Sequence, residues 1–303
     1  MTFDKGLEQL PPAGAVYAIG NFDGVHHGHR RLFSICRDIA KKDDRAVCAV
    51  TFDGLNKEGG RLFTSADREM YLREAGADYI ICENFDLIRD MSPEEFADKY
   101  LVENLSPSAV VCGGDFRFGR MGSGDAGMLC RLLARADVPV IVADTVIEEG
   151  APVSTSRIKD ALSKGDVELA ERLLGRSYSF EYQVEEGKKL GRTIGAPTIN
   201  QRFPEGMFIP KFGVYAGEAE ICGRLFACVT NIGRRPTVDD GDGVTAESYI
   251  IGYDGDLYGR RVRVGLVKYI RPEIKFASIE ALSEQIARDA SEAAQVFKRN
   301  GVI

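Results

Sequence analysis

All three histidines of the 303-residue chain, His26, His27 and His29, fall within four positions. They close the run Gly20-Asn21-Phe22-Asp23-Gly24-Val25-His26-His27-Gly28-His29. Val16 to Ile19 before it are apolar and read as a buried strand, and a helical pattern starts at about Arg30. Strand, glycine-rich turn and helix start bring free backbone N–H groups and the positive end of a helix dipole together, which suits a phosphate. Imidazoles there can donate to charge developing on a transferring phosphoryl group.

Three further stretches have the composition of anion sites. Residues 113–125 hold five glycines, two arginines and two aspartates, Asp115 among them; the same composition suits a mobile surface loop. Val153-Ser154-Thr155-Ser156-Arg157 puts three hydroxyls and a cation at a helix start, or simply caps that helix. Residues 187–200 carry Gly187, Gly191, Gly195, three cations including Lys189 and Arg192, and Pro197, Thr198 and Asn200. This run can cradle phosphate, and a solvated loop fits it equally. Glu247 opens a strand-like run and reads, by itself, as a polar residue on an outer strand face.

The elements that must hold these residues change character along the chain. In the first half, strand-like runs at 15–21, 46–52, 79–82, 109–112 and 138–142 alternate with helical patterns at 28–42, 65–75 and 125–136. A capping box at Ser92-Pro93-Glu94-Glu95 opens another helix. This alternation predicts a Rossmann-like α/β domain, a parallel sheet with helices on both faces. In such sheets ligands bind beyond the carboxyl ends of the strands, and each suspect loop of this half follows a strand. A short helix over 166–174 precedes a second pattern. Phe180, Tyr182 and Val184 alternate with polar residues, and runs at 214–221, 225–230, 247–253 and 261–269 are strand-like. Asp254-Gly255-Asp256 reads as a hairpin turn between the last two. This half predicts a small antiparallel β-barrel, closed by an amphipathic terminal α-helix with Ile279, Leu282, Ile286, Ala290, Ala293 and Phe297 on one face. The expected domains are 1–176 and 177–303.

Composition limits the function classes. Net charge is -7, apolar residues make up 44% and charged residues 28%. That is an ordinary globular balance, and its sign disfavours nucleic acid as the main partner. No apolar run approaches the roughly 18 residues of a membrane span, and no signal peptide is recognisable at Met1-Thr2-Phe3-Asp4-Lys5. The seven cysteines form no C-x-x-C pair and read as reduced, buried thiols of a cytoplasmic protein.

Together the motifs resemble the bacterial bifunctional riboflavin kinase/FMN adenylyltransferase (FAD synthetase) family. Gly20-x-Phe22-Asp23-Gly24-x-His26-x-Gly28-His29 matches that family's G-x-F-D-G-x-H-x-G-H, and Asp115-Phe116-Arg117-Phe118-Gly119 its D-F-x-F-G loop. Gly191 to Asn200 resembles its G-R-x-x-G-F-P-T-x-N run, Asn231 to Thr237 its N-I-G-x-R-P-T, and Asp256 to Gly259 its D-L-Y-G. The resemblance implies an N-terminal adenylyltransferase in which His26 and His29 stabilise charge on the α-phosphate of ATP. Ser156 and Arg157 would contact ATP phosphates, and Asp115 would lie near the nucleotide or flavin phosphate. It implies a C-terminal kinase with Glu247 as base and Thr198 and Asn200 holding Mg²⁺ and phosphate. Substrates would be riboflavin, FMN and ATP, with FMN and FAD as products and no nucleic acid or membrane partner. Two departures stand out. Asp53-Gly54-Leu55-Asn56 replaces a usual proline-histidine-proline turn, and Ala196 replaces a usual phenylalanine. They leave room for rivals: an enzyme with only one working module, or a non-catalytic flavin sensor. The oligomeric state is not legible in the sequence.

Overall fold

The computed structural model describes residues 11–54, 59–187, 196–234 and 243–299. They form two compact units. The first holds the described residues up to Gly54 together with Phe63–Thr155; the second holds Gly59–Leu62 and the described residues from Ser156 onward.

The first unit is a five-stranded parallel sheet: β1 (Val16–Ile19), β2 (Val47–Asp53), β3 (Tyr79–Asn84), β4 (Ala109–Gly113) and β5 (Val140–Ala143), in the order β3-β2-β1-β4-β5. Val16 pairs with Val47 on one side and Ala109 on the other. β1 is buried throughout, as a strand covered on both faces must be, which explains its continuous apolar run. Helices α1 (His27–Ala40), α2 (Ser65–Glu74), α3 (Pro93–Glu95 with its continuation Phe96–Leu105) and α4 (Ala126–Leu133) flank the sheet. Strand order reverses between β1 and β4, so the chain leaves these neighbours in diverging directions and opens a crevice at their carboxyl ends.

Two features here were not legible beforehand. The predicted capping box forms, with Ser92 Oγ accepting from Glu95 N at 3.1 Å and Glu95 Oε2 accepting from Ser92 N at 3.1 Å. The helix it opens, α3, is α-helical only over Pro93–Glu95 and continues as a π-helix over Phe96–Leu105. The wider turn buries Phe96, Tyr100, Leu101 and Leu105 in one core, and the Tyr17 hydroxyl donates to the Leu105 carbonyl at 2.9 Å. Second, Asp53 pairs with the buried Arg68 at 2.6 Å, and the same guanidinium donates to the Phe52 carbonyl and to Cys82 Sγ. The turn that replaces proline-histidine-proline thus begins on an ion pair. Leu55 and Asn56 of that turn lie outside the described residues.

The second unit carries α5 (Thr155–Lys164, from Ser156 on), α6 (Val167–Leu174) and a closed six-stranded barrel. Its strands are β6 (Tyr178–Glu185), β7 (Thr198–Arg202), β8 (Gly213–Ile221), β9 (Arg224–Arg234), β10 (Val244–Ile250) and β11 (Arg261–Arg271), in the order β6-β7-β10-β9-β8-β11. Aromatic rings of Phe180, Tyr182 and Phe203 pack together 5.0–5.4 Å apart. The buried Gln201 donates to the carbonyls of Tyr182 and Val262, tying β7 to both β6 and β11. The terminal helix α7 (Ile279–Arg299) is held by a bidentate pair between Arg271 and the buried Asp289.

Two sequence readings need correction. Asp254-Gly255-Asp256 is not a hairpin turn, because β10 and β11 are not neighbours; β10 pairs with β7 and β9. The chain instead crosses one end of the barrel from Ile250 to Arg261, and the turn residues shape that crossing. Nor are all the cysteines buried. Cys36, Cys48, Cys112 and Cys228 are, but Cys82 and Cys222 are exposed. Burial pushes the four buried thiols up to about 12, which keeps them protonated and unreactive. Labelling of the native protein with a maleimide should therefore stop at Cys82 and Cys222, with the half-buried Cys130 slower. Rapid reaction of Cys48 or Cys228, read by peptide mass spectrometry, would contradict this packing.

Candidate functional site

In the first unit, the residues after β1 form a tight structure rather than a loose loop. Phe22 (φ +48), Gly24 (φ +99) and Val25 (φ +41) all adopt left-handed backbone conformations, costly for the two with side chains. Neighbours hold the turn in place. Gly20 N donates to the Val50 carbonyl at 3.1 Å, Thr51 Oγ1 donates to the Asn21 carbonyl at 3.0 Å, and Thr155 Oγ1 donates to the Asp23 carbonyl at 2.7 Å. Thr51 and Thr155 are positioning residues that the sequence did not reveal as such.

His26 is the N-cap of α1: its Nδ1 accepts from the His29 backbone N–H at 3.3 Å. An imidazole nitrogen that accepts carries no proton, so neutral His26 keeps its hydrogen on Nε2 and presents a donor. The His26 and His29 rings stack with centroids 3.7 Å apart, and the Phe22 ring meets His29 edge-on at 5.2 Å. A Cβ at Gly28 would lie 3.1 Å from the His26 ring, and one at Gly20 would lie 3.0 Å from the Phe22 ring. Both glycines are thus set by the aromatic groups beside them. His26 and Asp23 are buried, whereas His27 points to solvent. Asp115 is exposed in the turn after β4, its Oδ1 against Gly113. Two imidazoles at the positive end of a helix, at the crevice between β1 and β4, make a site for a polyanion.

Ser156 and Arg157 occupy the first turn of α5, Ser156 exposed and Arg157 half-buried. They belong to the second unit.

In the barrel, alternation decides which side chains face out. Ile199, Ser248 and Thr230 point inward, where the Thr230 and Ser248 hydroxyls meet at 2.9 Å. Thr198, Asn200, Glu247 and Asn231 therefore share the outer face. Strand register sets Asn200 opposite Glu247, and Glu247 opposite Asn231. Glu247 is an outer-face residue, but it stands in a polar row across three strands. Gly187 closes over one end of this row, where a Cβ would fall 2.2 Å from Asn200 Nδ2. Beside the row is a cavity of roughly 440 Å³, lined by Pro197, Thr198, Ile250 and the crossing segment from Tyr253 to Tyr258. Asp256 Oδ1 accepts from Tyr258 N at 3.0 Å and fixes that segment. Lys189, Gly191, Arg192 and Gly195 lie outside the described residues, as do Arg235 to Thr237.

Comparison with known proteins assigns both units. Residues 9–157 match the FAD synthetase family and residues 174–297 the riboflavin kinase family. The chain is 35% identical over 302 residues to a bifunctional riboflavin kinase/FMN adenylyltransferase of Pseudomonas fluorescens, covering 97% of each. It is 36% identical to that of Escherichia coli K12, covering 96% of this chain and 95% of the relative. The chain belongs to the bifunctional riboflavin kinase/FMN adenylyltransferase family. A solved structure from Streptococcus pneumoniae, titled a macrolide-efflux protein, superposes with a TM-score of 0.85 at 28% identity over 93% of this chain and 94% of that one. Among the described residues here, no helix is long and apolar enough to cross a membrane.

The His26 geometry makes a spectroscopic prediction. Long-range ¹H–¹⁵N correlation spectra recorded with the imidazole neutral should show His26 protonated on Nε2 and bare on Nδ1. The reverse pattern would contradict its role as helix cap.

Proposed function

We propose that this chain phosphorylates riboflavin with ATP to give FMN, and transfers AMP from a second ATP to FMN to give FAD and pyrophosphate. Adenylyl transfer belongs to residues 1–176 and phosphorylation to residues 177–303. The observation that carries the reading is the polar row Asn200–Glu247–Asn231 in one unit, matched by the stacked His26–His29 pair in the other.

In the first reaction, Glu247 takes the proton of the riboflavin 5′-hydroxyl as its oxygen attacks the γ-phosphorus of ATP and ADP leaves. The Thr198 hydroxyl and the Asn200 amide oxygen, two residues apart on one face, offer the oxygen donors that Mg²⁺ prefers. The cation would take its remaining ligands from phosphate and water and offset phosphate charge. Gly187, Lys189, Gly191, Arg192, Gly195 and Pro197 would surround the ATP phosphates.

In the second reaction, a phosphate oxygen of FMN attacks the α-phosphorus of ATP and the bond to pyrophosphate breaks. His26 Nε2–H and the His29 ring donate to the α-phosphate oxygens, aided by the N-terminus of α1. Gly20, Phe22, Asp23, Gly24 and Gly28 would form the wall of this site and Asp115 would border it; the family resemblance gives Ser156 and Arg157 the role of contacting ATP phosphates. No covalent intermediate is required, since positioning and charge stabilisation supply the rate. The seven free thiols fit a cytoplasmic setting.

Separate sites predict separable losses. His29→Ala should cut FAD formation from FMN by about a hundredfold or more while sparing FMN formation. Glu247→Gln should cut FMN formation by roughly 10²–10⁴-fold and spare adenylyl transfer. Chromatographic separation of the flavins reads both, and loss of both activities in either variant would contradict the assignment.

A further inference from the structure

The polar row has a fourth member that no motif identified. Asn231 Nδ2 donates to Glu273 Oε1 at 3.1 Å. Glu273 follows β11, and the strand order β10-β9-β8-β11 brings it to Asn231 of β9 from the side away from β10. Glu247 stands on β10, opposite Asn231. The donor end of the Asn231 carboxamide is therefore engaged by Glu273, and its other polar end, Oδ1, is an acceptor.

Two independent features fix this arrangement. Gly233 lies two residues beyond Asn231 on the same face, and a Cβ there would fall 2.2 Å from Glu273 Oε1 and 2.7 Å from its carboxyl carbon. Gly233 is not among the positive-φ glycines, so its backbone could accept a side chain; the space is taken by the carboxylate. Arg271, two residues before Glu273, is clamped to the buried Asp289 by bonds of 3.1 Å and 2.7 Å to one carboxylate oxygen and 3.2 Å to the other. The segment thus leaves the barrel at a fixed point.

We propose that Glu273 is a positioning residue of the kinase site. It orients Asn231 so that its amide oxygen and the Glu247 carboxylate form an acceptor pair for adjacent hydroxyls of an uncharged polyol chain, the ribityl group of riboflavin. This rests on the kinase reading of Glu247. A hydroxyl is the donor such a pair recognises, and a mis-set amide would present N–H where an acceptor is required.

Steady-state riboflavin kinase kinetics on the full-length protein test it, with FMN adenylyltransferase activity of the same preparations as a check on folding. Glu273→Ala should raise the KM for riboflavin roughly tenfold with a much smaller change in kcat. Gly233→Ala should do the same by displacing the carboxylate, and the double variant should be no worse than Glu273→Ala alone. Asn231→Asp sets two carboxylates against each other and should raise KM. Adding Glu273→Gln to it, so that the new amide donates to the new carboxylate, should recover most of the loss. An unchanged riboflavin KM in Glu273→Ala and Gly233→Ala, a fall in kcat alone, or no recovery in the paired variant would overturn the proposal. Wild-type protein that forms no FMN would instead overturn the kinase reading beneath it.

Discussion

Both sites depend on space left open beside a polar group. At Gly28 the missing side chain lets the His26 ring lie against the first turn of α1. At Gly187 it lets the chain pass over the Asn200 amide, and at Gly233 it admits the Glu273 carboxylate. None of the three has positive φ, so glycine is required there by contact and not by backbone conformation. An alanine at any of them would press on a functional group, whereas at Gly24 (φ +99) it would strain the main chain instead. Close approach of a backbone to side chains that must stay in one orientation is the constraint on which the rest is built.

The two units reach that approach by different routes. In the first, a buried parallel sheet fixes where β1 ends, and three hydrogen bonds to neighbouring segments hold a strained turn against the start of α1. The positive end of the α1 dipole and the two imidazoles then converge without further machinery. In the second, the barrel interior is filled by aromatic and aliphatic side chains and by the paired Thr230 and Ser248 hydroxyls. Alternation along each strand sends the remaining polar residues outward, and antiparallel register aligns Asn200, Glu247 and Asn231 across three strands. Closure of the sheet leaves no edge free, so this outer row is a rigid platform.

Much of this was written locally and could be read. The apolar run before Gly20, the capping box at Ser92 and the alternation from Phe180 to Val184 each encode an element through its own neighbours. The histidine cluster marked the first site because its residue types are rare in this chain. What escaped the sequence was set by distant partners. The Asp254-Gly255-Asp256 run has hairpin chemistry, but barrel order separates the strands on either side of it. The π-helical turns of α3 answer to a core shared with Tyr17. Asp53 found Arg68 fifteen residues on, and Glu273 found Asn231 across forty-two. Exposure of Cys82 follows from the position of β3 at the edge of its sheet.

The central claim is that one chain carries out two reactions at separate sites, linked by the FMN that one makes and the other uses. Mixing two single-site variants tests it most directly. His29→Ala and Glu247→Gln proteins, combined with riboflavin, ATP and Mg²⁺, should make FAD that neither makes alone, after a lag in which free FMN builds up. A mixture that still forms no FAD, although each variant retains its own remaining activity, would contradict the account.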